Sequence, residues 1–431
     1  MTKIISWKQK LGAALFWSII AAAFIGPGTV TTASMAGATY GTSLLWAITF
    51  SVIATIVMQE ASARVTLASG KSLGEIIAIK YPGSMYPWLL FGSIFIGCAA
   101  YEAGNILGAL SGIQLIYPGK TWLLTTLITM SVVAFLWFGQ IKSLANLLGA
   151  FVAFMGVIFT IAGLSGEFIW SSFFNDLFIP KAPEGSLLLV IGLIGTTIVP
   201  YNLFLASGIG QGQSLTEMRT GVVIAVIIGG IISIGILLVG TLVKTTYSFQ
   251  ALVDSLTPAL GQAAKWVVGL GLFAAGFTSA MTAPLAAAIT GQSLFGKQLK
   301  WSRTSLRYRL TWSMVLLTGF VLGVTGIKPI PVIILAQALN GILLPVVGIF
   351  VFKVINDHDL LPGHTNSSGV NILLLFILGI ITFIGLFNLG LAITKLFPSF
   401  APLLPAMAAG LTFVMLGLLI LLHLLAIRRN D

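Results

Sequence analysis

The sequence predicts an all-α, polytopic membrane protein, and three observations carry that prediction. The 431 residues are 57% hydrophobic and only 8% charged, which leaves too little polar surface for a soluble domain. The apolar residues gather into twelve long runs: 11–38, 43–66, 84–115, 121–140, 143–166, 187–210, 220–243, 266–291, 308–326, 331–353, 370–392 and 402–427. About 20 such residues cross the hydrocarbon core as a helix. The basic residues then sort by loop. With the N-terminus inside, only six (Lys120, Lys181, Lys244, Lys265, Lys328 and Lys395) fall on outer segments, and the other sixteen of the 22 fall on inner ones. That bias is the positive-inside pattern. It predicts a multi-pass plasma-membrane protein with both termini cytoplasmic.

Taken in order, span 1 is interrupted at its middle by Gly26, Pro27 and Gly28. Proline removes a backbone donor and clashes with the preceding turn, so the helix is expected to break there. Broken backbone at membrane depth is tolerated where it is buried in protein or lines a cavity. In span 2, Glu60 stands four residues before Arg64, the spacing of a helix ion pair, which reads as structural. Span 3 is long enough to tilt and carries Glu102. An intramembrane carboxylate is a candidate proton or cation site, or a partner for Asn105 or a neighbouring helix. Span 6 repeats the break at Val199-Pro200-Tyr201, and an Ala-Ser pair follows each proline at one spacing, Pro27 to Ser34 and Pro200 to Ser207. Paired interruptions in two halves point to a transporter binding site, whereas ordinary proline kinks would carry no function.

Span 1 runs outward and span 6 inward, so spans 1–5 and 6–10 have opposite topology. The expected organisation is one transmembrane domain over 1–431: a first repeat at 11–166, a second at 187–353, and two further spans at 370–427. The net charge of +11 then reads as topology signal, including the basic loop 297–309, and no nucleic-acid partner is expected. The loop 354–369, with Asp357, His358, Asp359 and His364, is a metal site or, more simply, a solvated connection. The single cysteine, Cys98, rules out a disulfide framework. No cleavable signal peptide and no ATP-binding loop are expected, so transport would run on an ion gradient. No nucleophile–base pair suggests an enzyme.

Several stretches carry a family resemblance: Gly-Pro-Gly-Thr at 26–29, Leu44-Leu45-Trp46, Gln59, Arg64, the Gly70-Lys71 turn, Val-Pro-Tyr-Asn-Leu-Phe-Leu at 199–205, Phe273-Ala-Ala-Gly-Phe-Thr-Ser-Ala-Met-Thr282, and Gln337 in Leu-Ala-Gln-Ala-Leu-Asn. Over most of spans 1–10 the chain resembles the Nramp family of divalent metal transporters, which share the LeuT-type 5+5 inverted repeat. The departures lie in the site. The family's helix 1 aspartate is Gly26 here, its asparagine is Thr29, its helix 6 methionine is Val199, and its helix 6 histidine is Tyr201. Carboxylates suit hard divalent ions and a thioether suits transition metals, and neither stands at these positions.

The half-helices starting near Gly28 and Tyr201 are expected to present positive dipole ends, which favour anions. Gly26, Gly28, Thr29, Thr31, Thr197, Val199, Tyr201, Asn202 and Gln337 form the expected substrate site, suited to a small oxyanion such as bicarbonate. The LeuT-type resemblance further implies a sodium site at Ala22 and Ile25 with Ala275, Thr278 and Ser279, although Thr278 and Ser279 would equally bond back to their own helix. Sodium would be the coupling ion, with no other cofactor, and Glu102 a possible coupling group. The partners expected are a small inorganic ion and the lipid bilayer. The alternatives are a magnesium or manganese transporter using Glu102 and backbone oxygens, and a non-transporting receptor or scaffold.

Overall fold

The computed structural model describes residues 25–138, 142–166, 170–209, 214–394 and 398–430. Among these residues every regular element is helical: α1 Pro27–Tyr40, α2 Leu45–Ser69, α3 Leu73–Lys80, α4 Tyr86–Ile116, α5 Thr121–Phe138, α6 Lys142–Leu164, α7 Trp170–Phe178, α8 Leu187–Thr197 and α9 Pro200–Ile209. The second part follows with α10 Leu215–Thr241, α11 Phe249–Leu260, α12 Ala263–Leu299, α13 Leu306–Val324, α14 Pro329–Ile355, α15 Ser368–Thr394, a 3₁₀ turn Pro398–Leu403, and α16 Leu404–Asn430.

Helix starts follow local chemistry. Ser72 and Ser214 each accept from the backbone three residues on while Glu75 and Glu217 reach back, closing capping boxes at α3 and α10. Ser248 and Ser305 cap α11 and α13 in the simpler one-way form. Gly70, at φ 69°, ends α2 in the left-handed conformation that glycine adopts without steric cost.

Ten helices among the described residues are long and apolar enough to cross a membrane. One stretch, Leu187–Leu205, joins α8 and α9 across the expected break. The run 308–326 forms α13 but is not among the ten, because Arg307 and Arg309 occupy its first turn. The helix over run 266–291 extends beyond it on both sides, since α12 is 37 residues long and passes through Pro284.

The central helices pack by backbone approach at small residues, the usual means of tight association where lipid is as apolar as the side chains. A Cβ at Gly112 would lie 2.4 Å from Phe273 N, and one at Gly276 would lie 2.6 Å from Asn105 O, which sets α4 directly against α12. The same device brings α1 onto α10, where a Cβ at Gly37 would lie 1.9 Å from Leu237 O. The two breaks thus meet inside a wall made by α4, α12 and α14.

Candidate functional site

The first break is local and sharp. Gly26 is extended (φ −97°, ψ −176°), Pro27 opens α1, and no side chain caps this end. Pro27 brings no N–H, so the Gly28 amide is the first donor and has no intrahelical acceptor. The second break lies between Thr197, the last residue of α8, and Pro200, the first of α9, with Asn202 N bonded to Val199 O at 3.0 Å. The second break falls where the sequence places it, and α1 starts at the proline of the expected first break. The first half of span 1, including Ala22, lies outside the described residues.

Four contacts assemble the site. The Gln337 amide of α14 lies against Gly28, close enough that a Cβ there would sit 2.1 Å from Nε2. Thr29 Oγ1 meets Thr196 Oγ1 at 2.9 Å, joining α1 to α8. Ser279 of α12 turns its hydroxyl to the first break, 3.2 Å from where a Gly26 Cβ would stand. Tyr201 packs edge-on against Tyr101 of α4, with centroids 5.8 Å apart.

Tyr201, Asn202 and Gln337 are each 1% exposed. Tyr201 Oη, both amide atoms of Asn202 and Gln337 Oε1 have no protein partner in hydrogen-bond geometry, although Thr282 lies beside Tyr201. Buried polar groups in folded proteins are nearly always satisfied, by protein or by water, and here three such side chains without a protein partner stand at one junction. Thr31 is fully buried and its hydroxyl is also unpartnered. Val199 and Ile25 are buried and apolar.

The opposite pole of the second break is covered. Tyr101 Oη donates in a shared contact to Gly195 O and Thr196 O, 3.4 Å to each. Thr55 Oγ1, bonded mainly to Ser51 O, also lies 3.4 Å from Thr197 O. The last three carbonyls of α8 therefore face hydroxyls from α4 and α2.

Thr197 departs from the expectation, while Thr278 and Glu102 take the structural alternatives given for them. The Thr197 hydroxyl donates to Leu193 O within its own helix, 3.0 Å, and Thr196 takes the place expected of it opposite Thr29. The Thr278 hydroxyl bonds back to Ala274 O at 2.8 Å and Ala275 O at 3.1 Å, which leaves only its oxygen lone pairs for an ion. Glu102 is fully buried but faces α13, its Cγ 3.0 Å from a Cβ built at Gly319. Its Oε2 receives a long contact from Asn105 Nδ2, 3.4 Å, and Oε1 has no partner. The expected Glu60–Arg64 pair forms at 3.0 Å. Among the described residues no three His, Cys, Asp or Glu side chains gather as a metal centre. In the 354–369 loop Asp357 instead pairs with Lys80.

Thr196 and Tyr101 are the site residues that sequence reading misses. Two adjacent threonines at 196 and 197 do not reveal which one crosses to α1. Tyr101 was legible only as a polar aromatic next to Glu102 in an apolar run.

Comparison with known proteins fits this architecture. A model of the family described as natural resistance-associated macrophage protein-like, Nramp, matches residues 18–390. The divalent metal cation transporter MntH of Yersinia pestis (strain Pestoides F) is 27% identical over 355 residues, covering 78% of this chain and 84% of the relative. MntH of Klebsiella pneumoniae (strain 342) is 26% identical, covering 78% and 83%. A mutant of the Eremococcus coleocola manganese transporter superposes with a TM-score of 0.73 at 18% identity, covering all of this chain and 97% of that one. The same transporter in complex with an aromatic bis-isothiourea substituted compound gives the same score. With the family model spanning most of its length and the helices arranged as in these structures, the chain belongs to the Nramp family of LeuT-fold membrane transporters.

Proposed function

We propose that this chain is a secondary transporter whose junction takes a small oxyanion, bicarbonate first, together with sodium. The observation that carries the reading is the cluster of buried, unpartnered and uncharged polar groups on Tyr201, Asn202 and Gln337 beside the N-terminal ends of α1 and α9. Helix N-termini favour negative charge. The Tyr201 hydroxyl and Asn202 Nδ2 can donate to an anion, and Asn202 Oδ1 and Gln337 Oε1, which only accept, can take the O–H that bicarbonate carries. The positions that hold acid and sulfur in the Nramp pattern are Gly26 and Val199 here, so the fixed charge that would draw a metal is missing from them.

Sodium is proposed on the other side of the first break. The Ser279 hydroxyl beside Gly26 and the lone pairs of Thr278 supply neutral oxygens, and carbonyls near Ile25 would add to them. Two opposite charges held close at low dielectric stabilise one another, so each must strengthen the other's binding by the same factor. The test is bicarbonate uptake into proteoliposomes with and without an inward sodium gradient. Uptake should require sodium, and Thr278→Ala with Ser279→Ala should weaken that dependence. Uptake indifferent to sodium removes the coupling, and no anion flux removes the substrate.

The second reading is a divalent cation, favoured by the names of the relatives, which are called divalent metal cation and manganese transporters. Buried Glu102 and the backbone oxygens would then have to hold the ion. Calorimetry with manganese decides between them: no binding in the micromolar range is expected here, and tight binding would favour the cation.

A further inference from the structure

The second break has two electrostatic poles. One is the C-terminal end of α8, whose last carbonyls carry partial negative charge and suit a cation. The other is the N-terminal end of α9, which suits an anion. Which pole a ligand meets depends on which is already occupied by protein.

Tyr101 lies across that choice. It comes from α4, outside both breaks, and is 2% exposed. Its ring stands edge-on to Tyr201 at the start of α9, and its hydroxyl points between Gly195 O and Thr196 O at the end of α8. The carbonyl pole therefore has a donor over it. On the same junction the Asn202 side-chain amide has no protein partner and the Tyr201 hydroxyl has only Thr282 beside it.

We propose that Tyr101 is a specificity-determining residue that sets the sign of the ion accepted: its hydroxyl covers the Gly195 and Thr196 carbonyls and leaves the amide pole to the ligand. The proposal deepens the anion reading above and rests on it for the identity of the ligand. Tyr101 acts through the carbonyls it covers, so it is a positioning residue.

Tyr101→Phe is the informative substitution, because it keeps the ring against Tyr201 and removes only the donor. In proteoliposomes its apparent KM for bicarbonate should rise about fivefold to tenfold, the scale of one buried hydrogen bond. A second measurement needs no transport. In a Gly26→Asp background, which restores a carboxylate at the first break, adding Tyr101→Phe should tighten manganese binding by calorimetry about fivefold or more. Tighter manganese binding in Tyr101→Phe is a gain that lost packing would not produce, so it separates a donor from a packing role. Equal manganese affinities with and without Tyr101→Phe, or no binding by either, overturn the proposal. So does a Tyr101→Phe protein that is not monodisperse in detergent, since the hydroxyl would then serve folding. If the wild type carries no bicarbonate, the function proposed above fails while the calorimetric comparison still decides the role of Tyr101.

Discussion

Gly28 and Gly26 are both glycine for different physical reasons, and substitution should separate them. At Gly28 a methyl group would sit 2.1 Å from Gln337 Nε2 and 2.3 Å from its Cδ. The amide would have to leave the backbone it covers, so Gly28→Ala should cost about 1–3 kcal/mol, the usual range for overpacking, and should abolish uptake. Thermal unfolding in detergent and proteoliposome flux check the two halves. At Gly26 the nearest side chain among the described residues is Ser279, whose hydroxyl would lie 3.2 Å from the new atom. A serine rotamer change relieves that contact. Gly26→Ala should therefore fold normally and alter sodium dependence, as measured by uptake against sodium concentration. Thr29→Val should weaken anion uptake more than a surface change would, because it also breaks the 2.9 Å bridge to Thr196.

At the scale of elements, α1 is held from its far side. Ser34 Oγ lies 2.6 Å from Tyr247 Oη, which belongs to the connection between α10 and α11. Burial pushes the Tyr247 phenol well above its ordinary pKa, with the Ser34 bond opposing that rise, so it stays protonated and able to donate. Tyr247→Phe should loosen this end of α1, with faster modification of a cysteine placed at Ala38, one turn on, as the readout. The opposite end of α2 is tied by charge. Arg64 bonds Glu60 at 3.0 Å, His364 O at 2.6 Å and Asn366 Oδ1 at 2.5 Å, while Arg219 of α10 reaches Glu60 Oε1 at 2.8 Å. One guanidinium thus joins α2 to the connection between α14 and α15, and one carboxylate joins α2 to α10. Arg64→Ala strands both loop acceptors and should lower stability by about 1–3 kcal/mol, as loss of charge-assisted hydrogen bonds does. The thermal midpoint checks this.

At the scale of the whole molecule, the helices form one wall around the paired breaks, and membrane orientation follows from charge. The basic segment 297–309, which the fold divides among the end of α12, the connection 300–305 and the start of α13, is expected on the cytoplasmic side with both termini. A cysteine placed at Ser302, in a protein whose buried Cys98 has been replaced, should resist an impermeant thiol reagent added to intact cells and react after permeabilisation. Labelling without permeabilisation would reverse the topology.

What sequence by itself determined about this protein was set by composition and local backbone chemistry. Apolar runs long enough to span a bilayer can only be helical, and Pro27 and Pro200 each remove a donor where a helix would need one. Ten of the spans, the second break, the start of α1 at Pro27 and the Glu60–Arg64 pair were therefore legible, and the family pattern marked Gly26 and Val199 as departures. Tertiary structure alone decided which hydroxyls face the junction. Thr196 and Thr197 are neighbours of one type, and only the approach of α1 selects Thr196 and leaves Thr197 bonded to its own helix. Tyr101 and Glu102 are also neighbours, but about 100° of helical rotation turns the first to the end of α8 and the second to α13. Those choices depend on contacts between residues about a hundred or more positions apart in the chain, which no local pattern encodes.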